Sequence, residues 1–445
     1  LIRSRRQRQM CIRDRKYLED AVLQLTGTKS PFLGEAELMR GLARCMVGQK
    51  DPAVQALKAR IGEADSSENY LRSRLIAGLT FLYLVCGDLH LAHVEAQRLQ
   101  RVSKKHNMRL AEAWSYYFLG CTHLQTGELE AASLHFAQAA EMRYVLEPRG
   151  AVDALAGLVL TKQLMGLDDE AVESCRRLQE FALELHESNY LSVAQSCQTR
   201  LSVLRGDLNS AVEWGQLVTE SPVTAELFSW LEAPSITQAR VLIAAGSGQS
   251  LVNAIKLLQS IRDLCEMCRF ECQTIEVAIL QSLALEKQGR ADKALETLKE
   301  AVALAKPGGW IRPFLEAGSP MADLLMRLRE QNISVDYIDK LLAAFPEPES
   351  KPPLPDLGAI NDEREFESKT VAQIPNPLIE PLTNRELDVL ELLAQRLQNK
   401  EIAEKLFVSP ATIKSHLESM YQKLNVTNRR EAVDKANVLR IITRR

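Results

Sequence analysis

Residues 114–139 read WSYYFLGCTHLQTGELEAASLHFAQA, and the spacing within them decides the fold class. Two apolar helical stretches are separated at Gly127, a residue type that closes a helix in the left-handed conformation without a Cβ penalty. Ala132, five residues on, is small enough to let the paired helices approach. The same pair recurs as Gly48/Ala53, Gly87/Ala92, Gly166/Ala171, Gly206/Ala211 and Gly289/Ala294. Successive glycines lie 39, 40, 39, 40 and then 83 residues apart. The last gap holds two periods, because Gly246 falls 40 residues after Gly206 and Ala254 follows it behind a short insertion. Seven helix–turn–helix units are predicted.

A helix pair of this length cannot bury its own apolar face, so neighbours must stack into a superhelix with a continuous core and a long concave surface. Tyr116, Leu119, Gly120, Gly127, Ala132, Phe136 and Ala139 resemble the tetratricopeptide repeat in spacing, with a period nearer ~40 than its usual ~34. Arrays of this kind bind ligands or partners along the concave side. An inert spacer is the alternative.

The chain has 445 residues, enough for roughly two or three domains. Its 55 Lys and Arg against 58 Asp and Glu give a net charge of −3, so a nucleic-acid surface has to be local. Nine cysteines are scattered without a secretory leader, which predicts free thiols and places the chain in the cytoplasm. No apolar run approaches the ~18 residues a membrane span needs, so no membrane partner is expected. Residues 1–15 begin with Leu and carry six arginines. They are expected to be a disordered or non-native start.

Phosphate-loop, H-E-x-x-H and G-x-S-x-G patterns do not occur, so no enzyme activity is expected. Cys265, Cys268 and Cys272 have a spacing that would put three thiolates on one helix face, as for a metal. It is equally the spacing of a buried stripe, and with no histidine nearby the buried reading is taken. His90, His93, His123 and His135 are read as ordinary array residues outside any catalytic constellation.

Eight of the 17 prolines and eight acidic residues fall in residues 346–381. Residues 346–380 are therefore assigned as a semi-rigid acidic linker between a repeat array over 16–345 and a C-terminal domain over 381–445. That last stretch carries a local surplus, with 12 Lys and Arg against eight Asp and Glu from Leu382 onward. Thr383 and Glu386 have capping-box spacing, with Glu386 reaching back, and Leu387, Leu390, Ala394 and Leu397 share a helical face. Asn399 to Phe407 forms a short second helix. Ser409-Pro410 starts a third, whose Ile413, Leu417, Met420 and Leu424 make a core stripe while Thr412, Ser415, Ser419 and Gln422 form a polar face flanked by Lys414 and Glu418. Asn428 and Glu431 cap a fourth helix that buries Ala432, Val433, Ala436 and Leu439. A turn-linked second and third helix can present the third to a DNA major groove.

Five blocks make this stretch resemble the LuxR-type helix-turn-helix: Leu382-Thr383-x-Arg385-Glu386, residues 399–403, Ser409-x-x-Thr412-Ile413-Lys414-x-His416, Lys423-Leu424, and Arg429-x-Glu431-Ala432. The Gly309 to Gly318 segment, with its Gly-x-x-Arg-Pro-Phe order, is similar to the end of the array in large MalT-like regulators of the LuxR family. The resemblance implies an all-α protein, a tetratricopeptide-like superhelix followed by a four-helix DNA-binding domain, that regulates transcription. It implies phosphate contacts from Asn399, Lys400, Thr412, Tyr421 and Lys423, and base-facing Lys414, Ser415, Glu418 and Ser419. Thr383, Glu386, Ser409, Arg429 and Glu431 would be structural. Arg396 and Gln398 depart from the usual glycine and serine, at about 1 kcal/mol each unless a local substitute forms.

The partners implied are double-stranded DNA, an unknown small-molecule or protein effector at the array, a second copy on DNA, and RNA polymerase. No cofactor is expected in this chain. In the family an ATP-binding domain precedes the array, so the chain is either the C-terminal part of a larger regulator or a shortened member working without ATP. The rival reading is a repeat scaffold whose C-terminal bundle docks a protein. The first three helices are also shared with region four of sigma factors, but the fourth helix and the upstream array favour the LuxR type.

Overall fold

The structure is a computed structural model. It describes residues 17–26, 32–64, 69–217, 230–345, 382, 384–395, 397–406, 408–424, 426–438 and 441. The expectations for residues 1–15, for the linker 346–380, and for Thr383, Arg396 and Leu439 lie outside these residues. Among the described residues every regular element is helical.

After a helix over 17–25 (α1), seven helix pairs follow. They are α2 (Leu33–Met46) with α3 (Lys50–Glu63), α4 (Asn69–Val85) with α5 (Leu89–Lys105), and α6 (Arg109–Thr126) with α7 (Leu129–Glu141). Next come α8 (Pro148–Leu164) with α9 (Asp168–Glu184), and α10 (Ser188–Arg205) with α11 (Leu208–Leu217). The last two pairs are α12 (Pro234–Ala245) with α13 (Gly248–Cys268), and α14 (Glu271–Lys287) with α15 (Ala291–Ala305). The seven glycines found in the sequence sit between the members of the pairs, all with φ between 66° and 84°. At Gly127 that conformation lets the amides of Gly127 and Glu128 reach back to Leu124 O and His123 O and satisfy the end of α6. The alanines five positions later, and Ala254 after Gly246, are all 0% exposed.

Packing follows the same logic at the larger residues. Phe136 of α7 lies against Gly120 and Gly157, where a Cβ would come within 2.7 Å and 2.6 Å of its ring. Gly120 and Gly157 are thus the holes that receive a fully buried ring, and burying one contributes about 1.5–3 kcal/mol. The eight described cysteines are all buried and free, including Cys265, Cys268 and Cys272. Burial pushes the Cys272 thiol up to about 12.

The concave side does not form the long open surface that the repeat pattern predicts. Helices α6, α8 and α14 are buried on every face over most of their length, with the second helices of the pairs on one side only. Residues 230–233 and 308–317 cover the other side. Trp230 packs edge-on to Phe81 and lies 6.3 Å from Tyr117, and the amides of Leu231 and Glu232 both donate to the buried carboxylate of Asp153. Beyond α15, a 3-10 turn (Lys306–Gly308) leads to α16 (Arg312–Glu316), then α17 (Ser319–Glu330) and α18 (Val335–Ala344).

The 308–317 segment closes the array on its own beginning. Trp310 Nε1 donates to Gly87 O at 2.9 Å, and the Ile311 amide donates to Gln125 O at 2.7 Å. Gly308 is required there, since a Cβ would stand 2.3 Å from Gly87 O. Helix α14 meets α4 and α16 meets α6, so the seventh unit touches the second.

Charges seal the closure. Arg312 donates to Glu316 at 2.5 Å, to Glu276 at 2.6 Å and to Gln125 Oε1 at 3.0 Å, while Arg200 grips Glu316 through two bonds and reaches Glu232 at 3.0 Å. Burial pushes Glu276 up, but the guanidiniums of Arg312, Arg240 and Arg200 outweigh it and hold the carboxyl at about 2. Glu316 is held well below the usual range against the same burial penalty by Arg200, Arg240 and Arg312. A long buried network of this kind is tolerable only because every charge is matched.

The histidines of the array are not scattered. His93, His123 and His135 stand in contact on α5, α6 and α7, with ring centroids 4.8 Å and 5.4 Å apart. Burial lowers both His93 and His135, and neighbouring imidazoles lower them further: His123 and His90 act on His93, His123 and His93 on His135. Glu128 opposes this at His93, Lys104 adds to it at His135, and Gln138 favours the His135 proton through its hydrogen bond. A depressed histidine contributes stability above its unfolded pKa of about 6.5 that is lost as pH falls through the folded value. The array's melting temperature should therefore decline between pH 7 and 5, and the decline should shrink in His93→Gln/His135→Gln. The carboxylate cluster titrates below the unfolded range and cannot produce a change in that window.

Candidate nucleic-acid interface

Four helices make the C-terminal domain: α19 (Asn384–Ala394), α20 (Asn399–Leu406), α21 (Pro410–Lys423) and α22 (Arg429–Val438). Helix α20 packs on α21, and α19 holds both α21 and α22. The core stripe of α21 is as its pattern predicts, with Ile413, Leu417, Met420 and Leu424 all buried. Ala432 and Ala436 are buried and Val433 partly so. Helix α19 differs. Leu387, Val389, Leu390 and Leu393 are its buried apolar positions, and Ala394 is exposed.

Helix α21 starts as Ser409-Pro410 predicts. Ser409 Oγ accepts from the Thr412 amide at 3.1 Å and shares a 2.8 Å hydrogen bond with the Thr412 hydroxyl. The cap costs about 1 kcal/mol to remove and holds the first turn at a fixed angle. Gln398 lacks a serine's oxygen, but its amide donates to Glu401 Oε2 at 2.6 Å, so a local substitute forms for the missing cap. Asn428 Oδ1 accepts from the Glu431 amide at 3.0 Å, and Glu431 reaches back to the Thr427 amide at 2.9 Å.

Glu386, whose expected capping partner Thr383 lies outside the described residues, also ties α19 to α21, its carboxylate accepting from Ser419 Oγ at 2.6 Å and from Lys423 Nζ at 2.9 Å. The bond from the Lys423 ammonium is charge-assisted and so among the stronger hydrogen bonds. Arg429 donates to the carbonyl of Leu397, fastening α22 to the end of the first helix. The Glu386 tie orients α21, and the Arg429 tie holds α22 against α19.

The candidate contacts then separate. Lys414 and Glu418 are 75% and 65% exposed, 3.9 Å apart, and Ser415 is exposed beside them. Ala411 and Gln422 continue the same exposed row, at i, i+3, i+4, i+7 and i+11 along one face. Gln422 shares the helical spacing of Lys414, Ser415 and Glu418, which is the sequence signal that places it in this row. Ser419 and Lys423 are turned to Glu386, and Lys423 is only 14% exposed. Lys400 is exposed, and Asn399, Thr412 and Tyr421 are half-buried. Burial raises the Tyr421 hydroxyl against the pull of Arg429.

Turn-linked α20 and α21, with one exposed polar row on a helix capped at Ser409 and tied near its C-terminus to Glu386, define a helix-turn-helix domain joined to a closed helical-repeat superhelix. Residues 12–331 match the family described as MalT-like TPR region, and residues 380–436 match bacterial regulatory proteins of the luxR family. The chain belongs to the MalT-like TPR-region family. Its curated relatives include the HTH-type transcriptional regulator MalT of Klebsiella pneumoniae, 26% identical over 324 residues that cover 70% of this chain and 34% of that protein. The protein of that name from Vibrio cholerae is 30% identical over 234 residues, 51% of this chain and 25% of that protein. The chain thus spans a quarter to a third of the length of these relatives. No helix among the described residues is long and apolar enough to cross a membrane.

Proposed function

We propose that the chain is a transcription regulator that reads duplex DNA through α21, acts in the cytoplasm, and changes its self-association when its repeat array takes an effector. The observation that carries this is the exposed row Lys414, Ser415, Glu418 and Gln422 on a helix anchored to α19 through Glu386. In this reading that row faces base edges in the major groove, and Asn399, Lys400, Thr412 and Tyr421 flank it toward phosphates. Lys423 and Ser419 act through Glu386, setting the angle of α21. RNA polymerase is the downstream partner, and no cofactor is drawn from this chain's own residues.

Selection of the full chain on random duplexes tests the reading. Enrichment of a two-fold-related motif is expected, and failure to enrich any sequence would favour a repeat scaffold whose C-terminal bundle binds protein. On the selected site, Lys414→Ala should lose about 1–3 kcal/mol and relax one position of the motif if Lys414 reads a base. Uniform weakening across sequences would move Lys414 to the phosphates, and unchanged binding would remove it from the interface.

A further inference from the structure

Two of the buried cysteines meet. Cys45, in the last turn of α2, and Cys86, the residue after α4, bring their Sγ atoms to 3.1 Å although 41 positions separate them in the chain. A disulfide closes at about 2.05 Å, so roughly 1 Å of approach separates the pair from a bond. The pair sits at the seam of the array. The Gly48 amide donates to Cys45 O at 2.8 Å, and Cys86 precedes Gly87, whose carbonyl receives Trp310 Nε1. The turn between α13 and α14 lies against both: a Cβ on Gly48 would stand 4.0 Å from Arg269 Nε, and one on Gly87 would stand 3.7 Å from Glu271 Cβ. Units one, two and seven thus meet at the two sulfurs.

The thiols are not equivalent. The hydrogen bond shared with Cys86 lowers Cys45, and Lys50 and Arg269 lower it further against burial and the charge of Glu271. The same bond raises Cys86, and burial and the charge of Cys45 add to the effect. One sulfur is therefore favoured as the nucleophilic thiolate beside a neighbour that keeps its proton. Burial instead pushes Cys121 and Cys197 well up, and Cys175 to about 11. Solvent also reaches the pair, since Cys45 is 2% and Cys86 4% exposed where Cys197 and Cys265 are 0%, and Arg269 and Glu271 beside it are surface residues.

We propose that Cys45 and Cys86 form a peroxide-sensitive dithiol whose oxidation bridges the first repeat unit to the second at the closure seam. The Cys45 thiolate attacks one oxygen of a hydroperoxide, the O–O bond breaks, and Cys45 becomes a sulfenic acid while the departing hydroxide takes up the proton that Cys45 had lost. Cys86 then attacks the Cys45 sulfur, its proton leaves with the hydroxyl as water, and the S–S bond forms. One hydrogen peroxide is reduced to two waters as two thiols are oxidised to one disulfide. A thiol reductant of the kind that keeps intracellular cysteines reduced reverses the bond by exchange. The site lies in the array and stands independently of the DNA-reading role of α21.

Peptide mapping of the full chain tests it. The reduced protein is treated with hydrogen peroxide, its remaining thiols are alkylated in denaturant, and tryptic fragments are compared before and after dithiothreitol. Peptides 45–50 and 75–98 hold one cysteine each. They should appear joined, at least tenfold more abundant than any other joined pair, and separate on reduction. In Cys86→Ala the resolving thiol is gone, so Cys45 should accumulate as a sulfenic acid that dimedone traps; in Cys45→Ala, labelling of Cys86 should be at least tenfold lower. If one alanine variant does not fold, the parent map and the other variant still decide. Both peptides recovered alkylated after peroxide, joined peptides found only when the chain is oxidised unfolded, or Cys86 labelled as readily as Cys45 overturns the proposal.

Discussion

Replacing Arg312 with methionine is expected to cost the array about 3–5 kcal/mol, because it leaves Glu276 buried with its strongest partner gone and takes one of three guanidiniums from Glu316. Methionine fills much of the volume, so the loss measures charge more than cavity. The melting temperature should fall by roughly 5–10 °C. Both carboxylates should then rise toward the ordinary range, so the stability the parent loses as pH falls from about 4.5 through the folded values should be largely missing from the variant's acid profile, the variant starting lower and falling less. Arg176→Ala is the control. Arg176 also contacts two glutamates, Glu173 and Glu180, but on the surface, where such pairs contribute about 0–1 kcal/mol. Equal effects from the two substitutions would mean that the buried network does not hold the array closed.

The second large effect is the response of DNA binding to salt. Besides base-facing Lys414, Lys400, Lys405 and Arg430 are the exposed cations of the described C-terminal domain, and Lys423 is already engaged by Glu386. Each phosphate neutralised contributes about 0.9 to the slope of log affinity against log salt, so one domain predicts a slope near −3 and a paired complex near −5. Between 50 and 200 mM salt this is roughly a fortyfold loss for one domain and about two-thousandfold for two. Anisotropy titrations of the full chain over that range read the number directly. A slope near zero would contradict phosphate contact altogether, and a value near −3 on a two-fold site would contradict pairing.

The repeat architecture was legible because it is local. A glycine at positive φ and an alanine five residues later leave a mark in every unit, and the structure puts all seven glycines in turns and all seven alanines in the core. The core stripe and cap of α21 were legible for the same reason. What escaped was everything that joins distant segments. Arg200 and Glu316 are 116 residues apart, Trp310 and Gly87 are 223 apart, and no periodicity couples them. The concave face was expected to be open because helix spacing says nothing about which later segment returns to cover it. The tie from Glu386 to α21 was not legible, because Lys423 is 37 residues away in sequence and adjacent only in space. The histidines looked ordinary one at a time; three of them meet only when α5, α6 and α7 pack side by side.

Solenoids ordinarily gain and lose whole repeats with little penalty, since each unit touches only its neighbours. This one has lost that freedom. Inserting one more forty-residue unit between Gly127 and Gly289 would carry Trp310 and Arg312 past Gly87 and Gln125, and deleting one would leave them short. The bond from Trp310 to Gly87 therefore counts the repeats, and chains that share it are expected to vary in loop length and surface residues but not in the number of units between those two points.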